Sequence, residues 1–211
     1  MNIYSIPLLF ASIYGLGFST LLFSKRRGSI VDIAFGFEWL SVSVWWLGYF
    51  MVYLSSSEDM AFFWARVVHT GVIFIPVFMH HFVMAFLGLQ SLKRNMIRFN
   101  YVLSIILSCV LWFTNYIVDG VYKYSWGYYA KTGVVQNFFL IYFVVLFLDS
   151  VIRLHKKEKQ IKGKFPSEAR RISYIYWFYM IAGISMLDFL PNFGIAYPPV
   201  GFIFVTIGLG I

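Results

Sequence analysis

Charge is what this sequence has least of. Only 12% of its 211 residues are charged against 60% hydrophobic, and mean hydropathy is +0.75, whereas a soluble domain carries about a quarter of its residues charged. Apolar runs of roughly 20 residues recur from one end to the other, which leaves no stretch to build a water-soluble catalytic domain. Cysteine is nearly missing as well. Cys109 stands alone inside an apolar run, so an intramolecular disulfide and a cysteine-cluster metal site are both excluded. A cleavable leader is not evident either: the run from Ile3 to Phe23 is too long for a signal core, has no basic head and is followed by Ser24-Lys25-Arg26-Arg27.

What is present is a polytopic all-α membrane protein. Apolar runs and polar breaks predict a seven-transmembrane helix bundle with spans near residues 3–24, 30–54, 61–88, 99–118, 134–154, 171–190 and 196–211. Fourteen of the 17 basic residues fall in three alternate breaks, around 25–27, 93–98 and 153–171. By the positive-inside rule those breaks are cytoplasmic, with the N-terminus outside and the C-terminus inside. The net charge of +8 is then a topology signal, with a secondary attraction to anionic headgroups. Nucleic acid is not an expected partner, because no groove-reading motif accompanies the charge. A multi-pass protein of the inner (plasma) membrane is expected, with the lipid bilayer as its first partner.

The break between the fourth and fifth spans reads DGVYKYSWGYYAKTG, with tyrosines partly in alternation between Gly120 and Gly133. It is either an interfacial aromatic belt or a short hairpin acting as an outer lid. Between the sixth and seventh spans, DFLPNFGIAYPPVGF places Pro191, Pro198 and Pro199 with Gly194 and Gly201. That predicts an irregular turn able to wall an outward-facing pocket.

Ionisable groups inside spans are costly and mark function or partnership. In the third span Arg66, His69, Ile73, Pro76 and His80 follow steps of three and four and share a helical face, with His81 about 100° away. Ligand-pocket candidates are Arg66, His69, Pro76, Asp188, Pro191 and Tyr197. Packing or relay candidates nearer the cytoplasmic side are Glu38, His80 and His81. Depth alone pairs Arg66 with Asp188, and Glu38 with His80 or His81. Pro76 is expected to kink its helix and free a carbonyl for the histidines. Asn115 and Asn137 are placed to hydrogen-bond to a cavity or to cap helices. No metal and no cofactor is expected, since the adjacent histidines lack the further converging ligands a metal needs.

FFWARVVHTGVIFIPVFMHHFVMAFLG in the third span, the DFLPNFGIAYPPVGF turn and the order of elements resemble the seven-helix membrane region at the N-terminus of certain bacterial histidine kinases and diguanylate cyclases. The resemblance runs over essentially the whole chain. It implies a sensory input module that detects an extracellular or membrane-borne signal, a small molecule or lipid, and passes it through the seventh helix to a cytoplasmic signalling domain in cis. The chain is expected to be cut before that domain, and a second copy is a candidate partner. Within these 211 residues no phospho-acceptor helix, nucleotide-binding glycine motif or cyclase signature occurs, so no enzymatic activity and no catalytic residue is expected. Two other readings are a small multi-span transporter or channel, against which no internal repeat is seen, and an intramembrane metal-dependent hydrolase. A retinal receptor is not expected, because the last two spans hold no lysine.

Overall fold

The computed structural model describes residues 4–26 and 28–208. Their order is α1 (Ser5–Phe23), α2 (Ile30–Leu54), α3 (Glu58–Phe86), α4 (Arg94–Phe113), β1 (Val118–Tyr124), β2 (Gly127–Thr132), α5 (Val134–Ile161), α6 (Pro166–Ala182), a 3₁₀ segment (Gly183–Phe193) and α7 (Gly201–Gly208). Six helices are long and apolar enough to cross a membrane among the described residues, the sixth counted from Pro166 through Phe193. With α7 they form the expected seven-helix all-α bundle. The basic loops lie at one end, and the α2–α3 turn, the hairpin β1–β2 and the 3₁₀ segment at the other; they are called here the basic end and the hairpin end.

Local chemistry sets the helix starts. Ser29 and Asp32 form a capping box at α2: the Ser29 hydroxyl accepts from the Asp32 amide at 3.2 Å, and the Asp32 carboxylate accepts from the Ser29 amide at 3.1 Å. Lys25 pairs with Asp32 across the short loop, tying the first basic cluster to α2. Ser57 caps α3 through its side chain alone, which accepts from the Met60 amide at 3.3 Å, and Pro166 begins α6 where its missing N–H costs nothing.

Small residues bring the first three helices together. Ser12, Gly15 and Ser19 lie on the buried face of α1, and the Ser19 hydroxyl donates to the Gly36 carbonyl at 2.8 Å. Gly48 of α2 and Gly71 of α3 sit where the two backbones cross, a device that replaces the hydrophobic drive lipid cannot supply. Above this contact Trp39, Trp46, Val68, Val72 and Ile73 fill the core. α3 is the axis of the bundle, two-thirds buried over its most apolar window, while α1 and α4 show most of their faces to lipid.

The hairpin reading is the one the structure adopts. β1 and β2 pair antiparallel through a two-residue turn, with Tyr122 opposite Tyr129, Lys123 opposite Tyr128 and Tyr124 opposite Gly127. The register shifts between Val118 and Val121, where Gly120 takes φ 133° and forms a bulge. Ile117, Val118, Tyr129 and Ala130 are buried, so the hairpin plugs the end of the bundle and is more than an interfacial belt.

Several span boundaries differ from expectation. α4 ends at Phe113, and residues 114–117 are an irregular link to β1, which begins at Val118. α5 continues to Ile161, since its Lys- and Glu-rich end still favours helix outside the apolar run. The sixth span changes at Gly183 to a 3₁₀ helix holding Pro191, and Gly194 closes it with φ 83°. Pro198 and Pro199 keep residues 195–200 irregular, and α7 begins only at Gly201. Of the seventh span as expected, residues 209–211 lie outside the described residues.

Candidate functional site

Asp188 sits mid-way along the 3₁₀ segment and is 8% exposed. Its Oδ1 accepts from the Val200 and Gly201 amides at 3.0 and 2.9 Å, and its Oδ2 from the Gly201 amide at 2.9 Å. The carboxyl therefore takes the orphan donors at the start of α7, where the helix dipole also favours it. Gly201 allows this approach. A Cβ there would lie 2.8 Å from both the Asp188 Cγ and the Ser185 Cβ.

The same segment is held from the hairpin side. Tyr129 donates to the Asp188 carbonyl at 2.7 Å and Tyr124 to the Pro191 carbonyl at 2.7 Å. Tyr49 of α2 stacks on Tyr129 with ring centroids 4.5 Å apart, and its hydroxyl faces Asn192 Oδ1 at 3.5 Å. One stretch of eleven residues, Gly183–Phe193, thus joins the hairpin to α7. Removing the Tyr129 hydroxyl in Tyr129→Phe is expected to cost about 1 kcal/mol, and hydrogen exchange at the amides of residues 200–205 should rise with it.

Two of the cavities bordering this joint lie inside the bundle. The smaller, about 10 Å³, is lined by Trp45, Tyr49, His69, Val72, Asp188 and Phe189, room for about one water. His69 Nδ1 lies 2.9 Å from the Ala65 carbonyl, an oxygen that can only accept, so Nδ1 carries a proton. The larger is a cleft between α2, α3, α5 and α6 that reaches α7 at Val205. Its walls are mainly Trp39, Trp45, Phe143, Phe147 and Phe178, and its polar groups include the Glu38 carboxyl, which accepts from the Tyr179 hydroxyl at 2.8 Å. Trp45, Val72 and Phe189 belong to both linings.

The pairings expected from depth are not the ones formed. Arg66 turns away from Asp188 and reaches the end of α4, donating to Asn115 Oδ1 at 2.8 Å and the Thr114 carbonyl at 3.3 Å, with its guanidinium 4.5 Å over the Phe62 ring. Glu38 meets Tyr179, and neither histidine. His80 Nε2 lies 3.1 Å from Asp149 Oδ2, which also takes Arg153 Nε at 2.7 Å, while His81 Nδ1 lies 2.7 Å from the Tyr101 hydroxyl. Pro76 is buried within α3, and near it the Ile73 carbonyl takes the Ser104 hydroxyl at 3.4 Å; none of the histidines uses that region. Pro191 contributes its carbonyl to Tyr124. Tyr197 is half-buried in the irregular turn, with its amide donating to the Ile195 carbonyl at 2.7 Å. Arg66→Ala is expected to destabilise the α3–α4 contact by about 1–2 kcal/mol while leaving the Asp188 joint intact, checked by thermal unfolding and by exchange at residues 200–205.

The sequence places His69 and Asp188 at one pocket and Gly201 in its turn, but not Tyr49, Tyr179, Asn192 and Val200, nor the bond from the Gly201 amide to Asp188. The signal for Gly201 was present: a glycine directly after Pro198-Pro199-Val200, with an aspartate on the preceding span. Among the described residues no cluster of three or more His, Cys, Asp or Glu side chains could hold a metal ion.

Comparison with protein families decides the class of this bundle. The model of the N-terminal 7TM region of histidine kinase matches residues 7–211. The chain belongs to that family. No curated protein matches it. This histidine-kinase 7TM region is therefore a membrane sensory input module, multi-pass in the bilayer, of a kind that is not itself catalytic and works with a cytoplasmic signalling domain in cis.

Proposed function

We propose that this 7TM region, set in the inner membrane with its hairpin end outside, senses a signal at the hairpin or from within the bilayer and transmits it by changing how the 3₁₀ segment holds α7. The observation that carries the reading is the double attachment of Gly183–Phe193: its carbonyls to Tyr124 and Tyr129, its Asp188 side chain to the first turn of α7. A signal shifts a helix only if it favours one packing over another, and here any movement of the hairpin or of the cleft wall changes the seat of α7. The basic clusters at the other end support a cytoplasmic placement of that face, and α7 runs toward it. A histidine-kinase output fits the family; a diguanylate cyclase output uses the same mechanical input. Arg66, His69, Pro76, Pro191 and Tyr197 then shape the outer half around the joint, and Glu38, His80 and His81 the remainder.

The test joins the chain in frame, after Ile211, to the cytoplasmic core of a histidine kinase and measures autophosphorylation in proteoliposomes. Asp188→Ala is expected to change the rate at least fivefold in either direction, against no change for the lipid-facing control Phe138→Leu. Equal rates in all three, at equal insertion, would refute the reading.

A further inference from the structure

The larger cleft has a composition suited to one kind of molecule. It encloses about 670 Å³ counting its open mouth, of which only about 70 Å³ is open to the centre of a water-sized sphere. Such a space is a slot, too narrow for a bulky polar solute and walled almost entirely by aromatic and aliphatic side chains. Apolar cavities of this type stay dry and accept apolar guests, and ligand sites characteristically add a few fixed polar groups to such walls. Here the fixed group is Glu38, 5% exposed and lining the slot. The Tyr179 hydroxyl is directed at Oε2. A carboxyl offers more acceptor positions than one hydroxyl can fill, so capacity remains for a second donor.

The walls are also placed to report occupancy. Gly183, Ser185, Met186 and Phe189 belong to the segment that carries Asp188, and Val205 belongs to α7. At Gly183 the wall is already closed tightly, since a Cβ would come 2.5 Å from the Phe147 ring. An occupant of the slot therefore touches the 3₁₀ segment and α7 directly, while α2 and α3 are packed on each other at Gly48 and Gly71.

Resting on the reading of this chain as a sensory input module, we infer that the slot binds a slender alkyl-chain amphiphile whose hydroxyl or N–H head donates to Glu38. The occupant comes from the bilayer itself or from outside; the chemistry is the same.

A decanol bearing an aliphatic diazirine tests this by photolabelling the full chain in nanodiscs of synthetic phosphatidylcholine, with labelled peptides mapped by mass spectrometry. The label is expected on the peptides holding Met79, Met186 and Val205, competed by excess unlabelled decanol, and at least tenfold stronger than with the matching diazirine alkane that lacks the hydroxyl. Glu38→Gln, which keeps a carbonyl acceptor, should retain the preference, and Glu38→Ala should abolish it. Filling the slot with Ala182→Phe, or with Val42→Phe should the first fail to fold, should remove the competable label and leave label on lipid-facing Phe10 and Phe138. Competition by a cell-lipid extract points to a bilayer occupant, and competition by an extract of spent medium to a secreted one. Label confined to lipid-facing residues, or unchanged in a folded filled variant, overturns the inference. Photolabelling needs no output domain, so it fails or succeeds separately from the kinase measurement.

Discussion

Gly71→Leu is expected to prevent the bundle from assembling. A Cβ at Gly71 would lie 2.5 Å from the Ser41 carbonyl oxygen and 2.9 Å from the Trp45 amide nitrogen, both backbone atoms of α2. Neither can swing aside as a side-chain tip would, so the helices must separate. Separation undoes the reciprocal contact at Gly48, whose own Cβ would lie 2.6 Å from Val68 Cγ2 and 3.0 Å from the Val68 amide nitrogen. Overpacking ordinarily costs about 1–3 kcal/mol. A clash against main chain at the axis of the bundle belongs at or above the upper figure, and the buried tryptophans on α2 lose their packing with it. Size-exclusion chromatography in detergent should show Gly71→Leu as aggregate, and Gly71→Ala as folded but less heat-resistant. Gly17→Leu is the control: nothing lies within 4 Å of its Cβ position, and its stability should stay within about 0.5 kcal/mol of wild type. A monodisperse, wild-type-like Gly71→Leu protein would mean that α2 and α3 do not cross so closely.

Asp188→Ala carries the second large effect. The substitution strands the Val200 and Gly201 amides at a buried helix start, and an unsatisfied buried donor costs about 1–3 kcal/mol. The expected loss is about 2–4 kcal/mol, concentrated in α7 and the irregular turn. Asp188→Asn keeps one carbonyl oxygen and so should lose about half as much, because its amide group now opposes the Gly201 N–H donor to donor. Gly201→Ala should resemble Asp188→Ala although it removes no hydrogen-bonding atom, since its methyl group displaces the carboxyl. Thermal unfolding with hydrogen exchange read peptide by peptide separates the three. Equal exchange at residues 200–205 in wild type and Asp188→Ala would show that the carboxyl does not hold α7.

Hydropathy and charge made the bundle legible. Runs such as Ile30–Leu54 and Val134–Ile161 have no other stable use in a chain so poor in charge, and the family resemblance seen in the third span and the PNFG turn agrees with the match over residues 7–211. The tyrosine-rich break offered a hairpin as one of two readings, through the partial alternation of its tyrosines; in the structure Gly120 and Gly127 supply the positive φ at the bulge and turn. What stayed hidden was azimuth. Depth places Arg66 level with Asp188, yet it does not say that Arg66 faces α4 while Asp188 faces α7, and the same limit misassigned Glu38 to the histidines. Its true partner, Tyr179, is 141 residues away, a separation no local pattern encodes. The 3₁₀ segment was hidden for another reason. Gly183 and Pro191 lie in a run apolar enough to pass as continuous helix, and the bonds that hold the 3₁₀ segment, to Tyr124, Tyr129 and the Val200 and Gly201 amides, are tertiary contacts.

The central claim is that hairpin and α7 share one joint in Gly183–Phe193. Hydrogen–deuterium exchange of the full chain in nanodiscs, comparing wild type with the double variant Tyr124→Phe/Tyr129→Phe, tests it most directly. Both altered hydroxyls lie on the hairpin and bond to carbonyls of the 3₁₀ segment, at Pro191 and Asp188. The account predicts faster exchange at the amides of residues 200–205, by at least fivefold, alongside that of the hairpin. Faster exchange confined to residues 118–132, with 200–205 unchanged, would contradict it.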